Sequence, residues 1–463
     1  MVERAPTTAL HETADETENS FDVAVIGGGG AAEALVGSLE GSGLRVLVIE
    51  EHRVGGTCPF VACMPSKALL HDAEGSTRWR RAIQRRDELV DHLDDQRHAD
   101  QVRRQGAHLV RGHARLIDEH TIEVGPDGHQ SEQYHAEHIV LATGSTPVIP
   151  QIEGIDDLGE HLWTSDDALT TDDRPVRLMV IGGGPIGCEL AHLFAGFDTE
   201  VHLIDTAERA FPELPVEIGE IVDDGLRSAG VRVNRGTAAV RFERLGGNVR
   251  ITLDNDASVV TDRVLVSIGR RANIGGLGLE RLGLDPEAPL PVDEVGRVDC
   301  PGSVWAIGDV AGKGQYTHLA NHHAHVVADH LTSDPTSQGQ RRLDDVVIPA
   351  CIFTRPPVMM VGPTPDELGE DAVWVSAKLS EVARWSTDAL GDGFLTVAVD
   401  RSTRCVLAAH GAGASFDELS AAFVTAIDGR VPIDRLAKSM WPFPTVGELL
   451  GPIYRRALDA LAD

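Results

Sequence analysis

Cys58 and Cys63 have four residues between them within Gly-Gly-Thr-Cys-Pro-Phe-Val-Ala-Cys-Met-Pro-Ser-Lys, residues 55–67, and could form a redox dithiol. Two sulfurs at this spacing meet when the residues between them make a distorted helical turn, within narrow Cα and Cβ distance limits. Pro59 suits the first turn of a helix, and Pro65 is expected to bend it. A cysteine at a helix N-terminus has its thiolate favoured by the local dipole. The competing reading is a metal site, for which two thiolates alone are a poor zinc set. A second cluster, His318, His322, His323 and His325, could offer two ligands four residues apart, but reads more simply as hydrogen-bonded helix histidines. Cys188 reads as a small buried side chain. No histidine follows His410.

The dithiol needs a scaffold, and the flanking sequence supplies one. Residues 21–26 read as a buried parallel strand, followed by the loop Gly27-Gly-Gly-Gly-Ala-Ala32, a helix to about residue 40, and a strand at 45–50. Gly27 and Gly29 allow a tight turn and close approach of a pyrophosphate to the helix N-terminus, and Glu50 can accept from a ribose hydroxyl. Ala32 takes the third glycine position, where only a small side chain is required. The pattern recurs with a strand at 177–181, Gly182-Gly-Gly-Pro-Ile-Gly187, a helix at 188–194 and a strand at 200–205. Gly182, Gly184 and Gly187 therefore mark a second dinucleotide site. Asp205 there would bond the ribose of NAD and repel a 2′-phosphate, although Arg209 lies close enough to weaken the discrimination.

Shorter strand-to-loop motifs follow: Thr143-Gly144-Ser145, Gly269-Arg270 and Gly308-Asp309, with a helix starting near Thr317. From about residue 342 strands are expected at 346–353, 372–379, 393–399 and 405–409, then helices at 416–427, 433–439 and 447–461. This is an α+β region without a nucleotide loop. The division read from the sequence is a disordered tail at 1–20, a first dinucleotide-binding region at 21–155 continued at 273–341, a second at 156–272, and an oligomer-forming domain at 342–463. The fold class is α/β, with two Rossmann-like domains and an α+β C-terminal domain.

A chain of 463 residues, 42% apolar with 48 glycines and 24 prolines, suits a globular α/β protein. Its charge of −31, from 72 acidic and 41 basic residues, excludes nucleic acid and anionic membrane as partners. No stretch approaches the roughly 20 apolar residues that span a bilayer, and the acidic N-terminus lacks a signal-peptide pattern. A cytoplasmic location follows. There a close cysteine pair is more often catalytic than structural. With four lysines in the chain, one kept inside a motif, Lys67, carries weight.

These motifs resemble those of the class I pyridine nucleotide-disulfide oxidoreductases, a family of flavoproteins that includes dihydrolipoyl dehydrogenase, glutathione reductase and mercuric reductase. The stretches that carry the resemblance are IGGGGAAEAL from Ile26, GGTCPFVACMPSKALL from Gly55, LATGSTP from Leu141, VIGGGPIGCELAHLFA from Val180, VLVSIGRRAN from Val264, VWAIGDVAG from Val304 and IPACIFTRPPVMMVG from Ile348. The resemblance implies that 21–155 with 273–341 is the FAD-binding domain, 156–272 the NAD(P)-binding domain and 342–463 the dimerisation domain. It implies FAD at Gly27, Gly29, Glu50, Lys67, Thr143, Gly144 and Asp309. It implies NAD(P)H, with NADH favoured, at Gly182, Gly184, Gly187 and Asp205, and Gly269 and Arg270 join the cofactor-binding set. Lys67, paired with Glu189, would stabilise the anionic reduced flavin. Cys63 would face the flavin and Cys58 would attack substrate, giving the catalytic set Cys58, Cys63, Lys67 and Glu189, with no resident metal.

Family members that reduce disulfides use a C-terminal histidine before Pro-Thr, supplied across a homodimer interface. Here the stretch is Trp441-Pro-Phe-Pro-Thr-Val-Gly-Glu448, and Phe443 holds the histidine position. Its loss removes a factor of roughly 10² to 10⁴ where base catalysis limits the rate. The small-molecule electron acceptor is left open among a soft metal ion, a quinone taking electrons directly from flavin, and an organic substrate with its own acid or base. A non-catalytic interaction protein that keeps the fold is the remaining alternative. Mercuric reductase also lacks this histidine, but delivers metal through a C-terminal cysteine pair, whereas the last cysteine here is Cys405.

Overall fold

The computed structural model describes residues 19–75, 78–125, 131–333 and 341–462. The expected tail at 1–20 lies outside the described residues up to residue 18, and Ser20 already opens the first strand, Ser20–Ile26. The chain forms two compact units, one of residues 1–58, 93–146 and 271–345, the other of 59–92, 147–270 and 346–463.

In the first unit Ser20–Ile26 is fully buried over its last four residues and pairs in parallel with Val46–Glu50 on one side and Glu132–Leu141 on the other. Val46–Glu50 in turn pairs in parallel with His108–Arg111. The ten-residue strand Glu132–Leu141 changes neighbours along its length. Its first part runs antiparallel to Thr121–Gly125, and its last part parallel to Val304–Ala306. Helix Gly30–Leu39 covers one face with Ala31, Ala32, Leu35, Val36 and Leu39, packed beside Thr317–Thr332 through Ala320, Ala324 and Val327. Both faces are covered, as a parallel sheet requires.

The second unit holds a parallel sheet in the order Arg232–Asn234, Glu200–Ile204, Arg177–Ile181, Arg263–Val266, Leu162–Trp163, with an antiparallel meander of Ala239–Leu245, Asn248–Leu253 and Ser258–Thr261. It also holds a five-stranded antiparallel sheet in the order Pro349–Ile352, Val358–Val361, Val406–Ala412, Phe394–Asp400, Ala372–Lys378. Helices Phe416–Asp428 and Leu450–Ala460 bury Phe416, Phe423 and Tyr454 in the core of that sheet. Val358–Val361 is a strand that the sequence reading passed over. The helices Cys63–Glu74 and Trp79–Leu89, assigned from sequence to the first nucleotide region, pack within this unit. Leu69, Leu70, Ala82 and Ile83 join a core with Leu190 and Phe194, and Trp79 stands edge-on to Phe197. Among the described residues no helix is long and apolar enough to cross a membrane.

Candidate functional site

In the first unit the loop after Ser20–Ile26 needs glycine for steric reasons. Gly27 has φ +100°, and a Cβ there would lie 2.4 Å from the Ala142 carbonyl oxygen. Gly29, by contrast, is extended, and an added Cβ would make only an ordinary contact, with Gly56 Cα at 3.7 Å. Glu50 is fixed across the loop, accepting from Gly28 N at 2.6 Å through Oε2 and from His52 N at 2.6 Å through Oε1. Thr143 Oγ1 is buried without a hydrogen-bond partner, and Gly144, at φ +71°, accepts from Asn273 N through its carbonyl. Asp309 Oδ2 accepts from Ser145 Oγ at 2.6 Å. An open helix N-terminus, a fixed acid and an unpartnered hydroxyl are groups that could hold a phosphate-bearing dinucleotide.

Two contacts in this unit escaped the sequence reading. Thr317 Oγ1 donates to Cys58 Sγ at 3.3 Å. His323, completely buried, accepts from Gly308 N at 3.2 Å through Nδ1, while its Nε2 is buried without a partner. Burial pushes its pKa down to about 4, so the ring is neutral and holds the Gly308-Asp309 turn.

The second unit repeats the loop with one addition. A Cβ at Gly182, φ +98°, would lie 2.5 Å from Ser267 O, and one at Gly187 would lie 1.8 Å from Gly182 O. Gly184 caps helix Pro185–Gly196 in extended backbone, with nothing within 4 Å of an added Cβ. Asp205 accepts from Gly183 N at 2.5 Å and from Ala207 N at 2.8 Å. The addition is Arg235, just past strand Arg232–Asn234, whose guanidinium reaches Gly183 O at 3.2 Å and Asp205 Oδ2 at 3.4 Å. Arg209, the arginine singled out from sequence, instead donates to the carbonyls of Pro212 and Leu214. Gly269 has φ +122° and its carbonyl accepts from Val148 N, with Arg270 next in the chain. Cys188 is buried, and burial pushes its thiol up to about 12, which leaves it inert.

Around the cysteines the helix is interrupted. Thr57–Val61 holds Cys58, and a new helix, Cys63–Glu74, starts after Ala62 at φ −138°, ψ −99°. Pro65 therefore lies in the first turn of the second helix, where its missing N–H costs nothing, and does not bend a continuous one. Cys63 is the first residue of that helix, so the dipole favours its thiolate. One turn on, Lys67 Nζ lies 2.8 Å from Glu189 Oε2 and 4.6 Å from the Phe353 ring centroid. Glu189 Oε1 accepts from Phe353 N at 2.9 Å, so both carboxylate oxygens are engaged.

In the C-terminal segment Phe443 is 72% exposed and Met440 95% exposed. Glu448 Oε2 is buried without a hydrogen-bond partner, and Trp441 packs on Tyr454. The histidines of helix Thr317–Thr332 diverge: His318 stacks on Tyr316, and His322 bonds the Arg342 carbonyl. Among the described residues no group of three or more His, Cys, Asp or Glu is placed to hold a metal ion.

Comparison with known proteins agrees with this geometry. The profile of the pyridine nucleotide-disulphide oxidoreductases matches residues 21–325, and that of their dimerisation domain matches residues 348–452. The mercuric reductase of Streptomyces lividans is 31% identical over 94% of this chain and 96% of its own length. The dihydrolipoyl dehydrogenase of Pseudomonas aeruginosa is 30% identical over 93% and 95%. Among solved structures, the Cu(II) complex of the HOCl-induced flavoprotein disulfide reductase RclA from Escherichia coli superposes with a TM-score of 0.85 at 27% identity, over 95% of this chain and 99% of that one.

Proposed function

This chain belongs to the pyridine nucleotide-disulphide oxidoreductases, and from that premise we propose that it passes electrons from a nicotinamide dinucleotide, through FAD and the Cys58–Cys63 pair, to a thiophilic metal ion. The family makes it an FAD-dependent oxidoreductase that uses NAD(P)H. The residues present fit both groups. Gly27 and Gly29 would admit the FAD pyrophosphate, Glu50 its ribose, and Thr143, Gly144 and Asp309 the remainder of the chain. Gly182, Gly184, Gly187 and Asp205, with Gly269 and Arg270, would hold the nicotinamide dinucleotide, and the Asp205 carboxylate favours NADH. FAD supplies the two-electron transfer between nicotinamide and sulfur.

The protein's own groups do the rest. Lys67, held at 2.8 Å by Glu189, places a cation for the negative charge that develops during transfer. Two electrons break the Cys58–Cys63 bond and leave two thiolates, that of Cys63 favoured by its helix N-terminus. Two thiolates are ligands for a soft cation such as Hg(II) or Cu(II). Overall, NAD(P)H and Hg(II) give NAD(P)+, a proton and Hg(0), or the same two electrons reduce two Cu(II) to Cu(I).

The observation that carries this reading is Phe443, an apolar side chain exposed in the protomer where disulfide-reducing relatives place a base; five residues on in sequence, a buried Glu448 oxygen is left without a hydrogen-bond partner. Thiol–disulfide exchange needs proton transfer, and a thiolate-bound metal ion does not. The enzyme is further proposed to act in the cytoplasm as a homodimer closed by residues 348–452. An anaerobic acceptor screen with NADH and NADPH tests the reading, using Hg(II), Cu(II), lipoamide, a low-molecular-weight disulfide and a quinone. Metal ions should turn over fastest, and Cys58→Ser and Cys63→Ser should each abolish that turnover. Faster lipoamide reduction at pH 7 refutes the metal assignment, and cysteine-independent quinone reduction refutes the dithiol route.

A further inference from the structure

The two dinucleotide loops are alike in backbone and in the acid that closes them, but differ in what lies behind them. In the first, the three atoms nearest a Cβ at Gly28 all belong to Glu50, and Arg111, at the end of the neighbouring strand, reaches Asp95 at 2.7 Å and the His52 carbonyl. In the second, a Cβ at Gly183 would lie 2.0 Å from Arg235 Nη1, so the guanidinium fills the space a side chain would take. The Arg235 side chain is 6% exposed. It pairs with Asp223 at 2.8 Å on helix Val216–Ser228, and the Asp223 side chain is 8% exposed. Its other nitrogen is shared between Gly183 O and Asp205 Oδ2. Neighbouring backbone bonds fix the arrangement, because Asp205 N donates to Asn234 O and Thr237 N donates to Asp205 O.

A guanidinium is permanently charged, and burial weakens the screening of its interactions. Arg227 also reaches Asp223, at 4.0 Å from the solvent side, but among the described residues Arg235 alone bridges Asp223 and Asp205, so its removal makes the surroundings of Asp205 more negative by one charge. We propose that Arg235 is a positioning and charge-setting residue of the dinucleotide site: it holds Asp205 against Gly183 and offsets its charge, so that the site takes the 2′-phosphorylated dinucleotide as well as NADH. The inference rests on the reading of the Gly182–Gly187 loop as the nicotinamide dinucleotide site. Asp205 alone would repel a 2′-phosphate. Arg235 reduces that repulsion from behind the loop while leaving the carboxylate free to accept from a ribose hydroxyl.

Calorimetric titration of the flavin-loaded protein with ADP-ribose and with 2′-phospho-ADP-ribose tests this without turnover. Wild-type protein should bind the two within about tenfold of each other, a gap of ~1.4 kcal/mol. Arg235→Gln should weaken the 2′-phosphorylated ligand about tenfold more than the other. Asp223→Asn, which removes the competing carboxylate but keeps an acceptor for Arg235, should tighten it about threefold. Arg235→Lys, with the charge but not the fork, should fall between wild type and Arg235→Gln, and with Asp223→Asn it decides the matter if Arg235→Gln does not fold. Equal changes for both ligands across the series would mean a merely structural arginine and overturn the proposal. Ligand preference unmoved within twofold in every variant would overturn it too. Wild-type protein that binds neither ligand would overturn the dinucleotide reading itself, and the inference with it.

Discussion

Two glycine-to-alanine substitutions three residues apart in one loop should have opposite consequences. At Gly184 the backbone, φ −77° and ψ −168°, is open to any residue, and an added Cβ has nothing within 4 Å. Gly184→Ala should therefore fold as well as wild type, or gain up to ~1 kcal/mol from a less flexible unfolded chain. The methyl, however, occupies the space above the helix N-terminus where the pyrophosphate must approach. Losing about one charge-assisted hydrogen bond and part of the helix-dipole attraction costs ~3 kcal/mol, or about 100-fold in Kd. At Gly187 the added Cβ would lie 1.8 Å from Gly182 O and 2.7 Å from Ser267 Oγ. The carbonyl, just past the strand, accepts from Ser267 Oγ at 2.9 Å, so loop and helix must shift apart, at a cost of about 1–3 kcal/mol or more in stability. Thermal unfolding and calorimetric titration with NADH, run on both variants, separate the two effects. Gly184→Ala binding NADH within threefold of wild type would refute the placement of the dinucleotide on this loop. An undiminished melting temperature for Gly187→Ala would refute the steric reasoning.

Two further outcomes are expected. His323 is neutral and buried, with its pKa lowered to about 4, so the unfolded chain binds its proton first as pH falls below about 6.5. Its contribution is constant above that pH and is lost progressively down to about 4, reaching ~2 kcal/mol by pH 5. His323→Gln should therefore lose less melting temperature than wild type between pH 7 and pH 5, and equal losses would sink the assignment. Phe443 is exposed in the protomer, so Phe443→His should shift the stability of the protomer itself by no more than ~0.5 kcal/mol. Lipoamide reduction at pH 7 should rise at least ~10-fold, by more than any change in the metal-ion rate, if the Glu448 oxygen can orient the new imidazole. An unchanged lipoamide rate would show that more than the missing base limits disulfide chemistry.

Features set by local rules were legible in the sequence. The glycine loops and the acids at the strand ends follow from steric and hydrogen-bonding demands within a few residues. What escaped depends on distant partners. Arg235 meets Gly183 across 52 residues of chain, and Thr317 meets Cys58 across 259. Nothing in either segment reports that encounter. Arg209 looked relevant because it is near Asp205 in sequence, yet the following loop offers it two carbonyls and takes it away. Val358–Val361 follows two prolines and is only four residues long, too short to show a period. The helix break at Ala62 was misplaced because Pro65 is tolerated in a first turn, so it could mark a start as readily as a bend.

The shared strand Glu132–Leu141 also bears on the order in which the protein is made. Its last residues are buried against Val304–Ala306, which leave the ribosome some 160 residues later. The parallel sheet between Leu162 and Val266 is contiguous in sequence and can close while the first nucleotide fold still lacks an edge. That edge is apolar and unpaired until synthesis passes residue 306, an interval of roughly 10–30 s at ordinary elongation rates. The first unit is thus a slow, high-contact-order assembly, and its open strand is where a nascent chain is most exposed to mispairing with a neighbour.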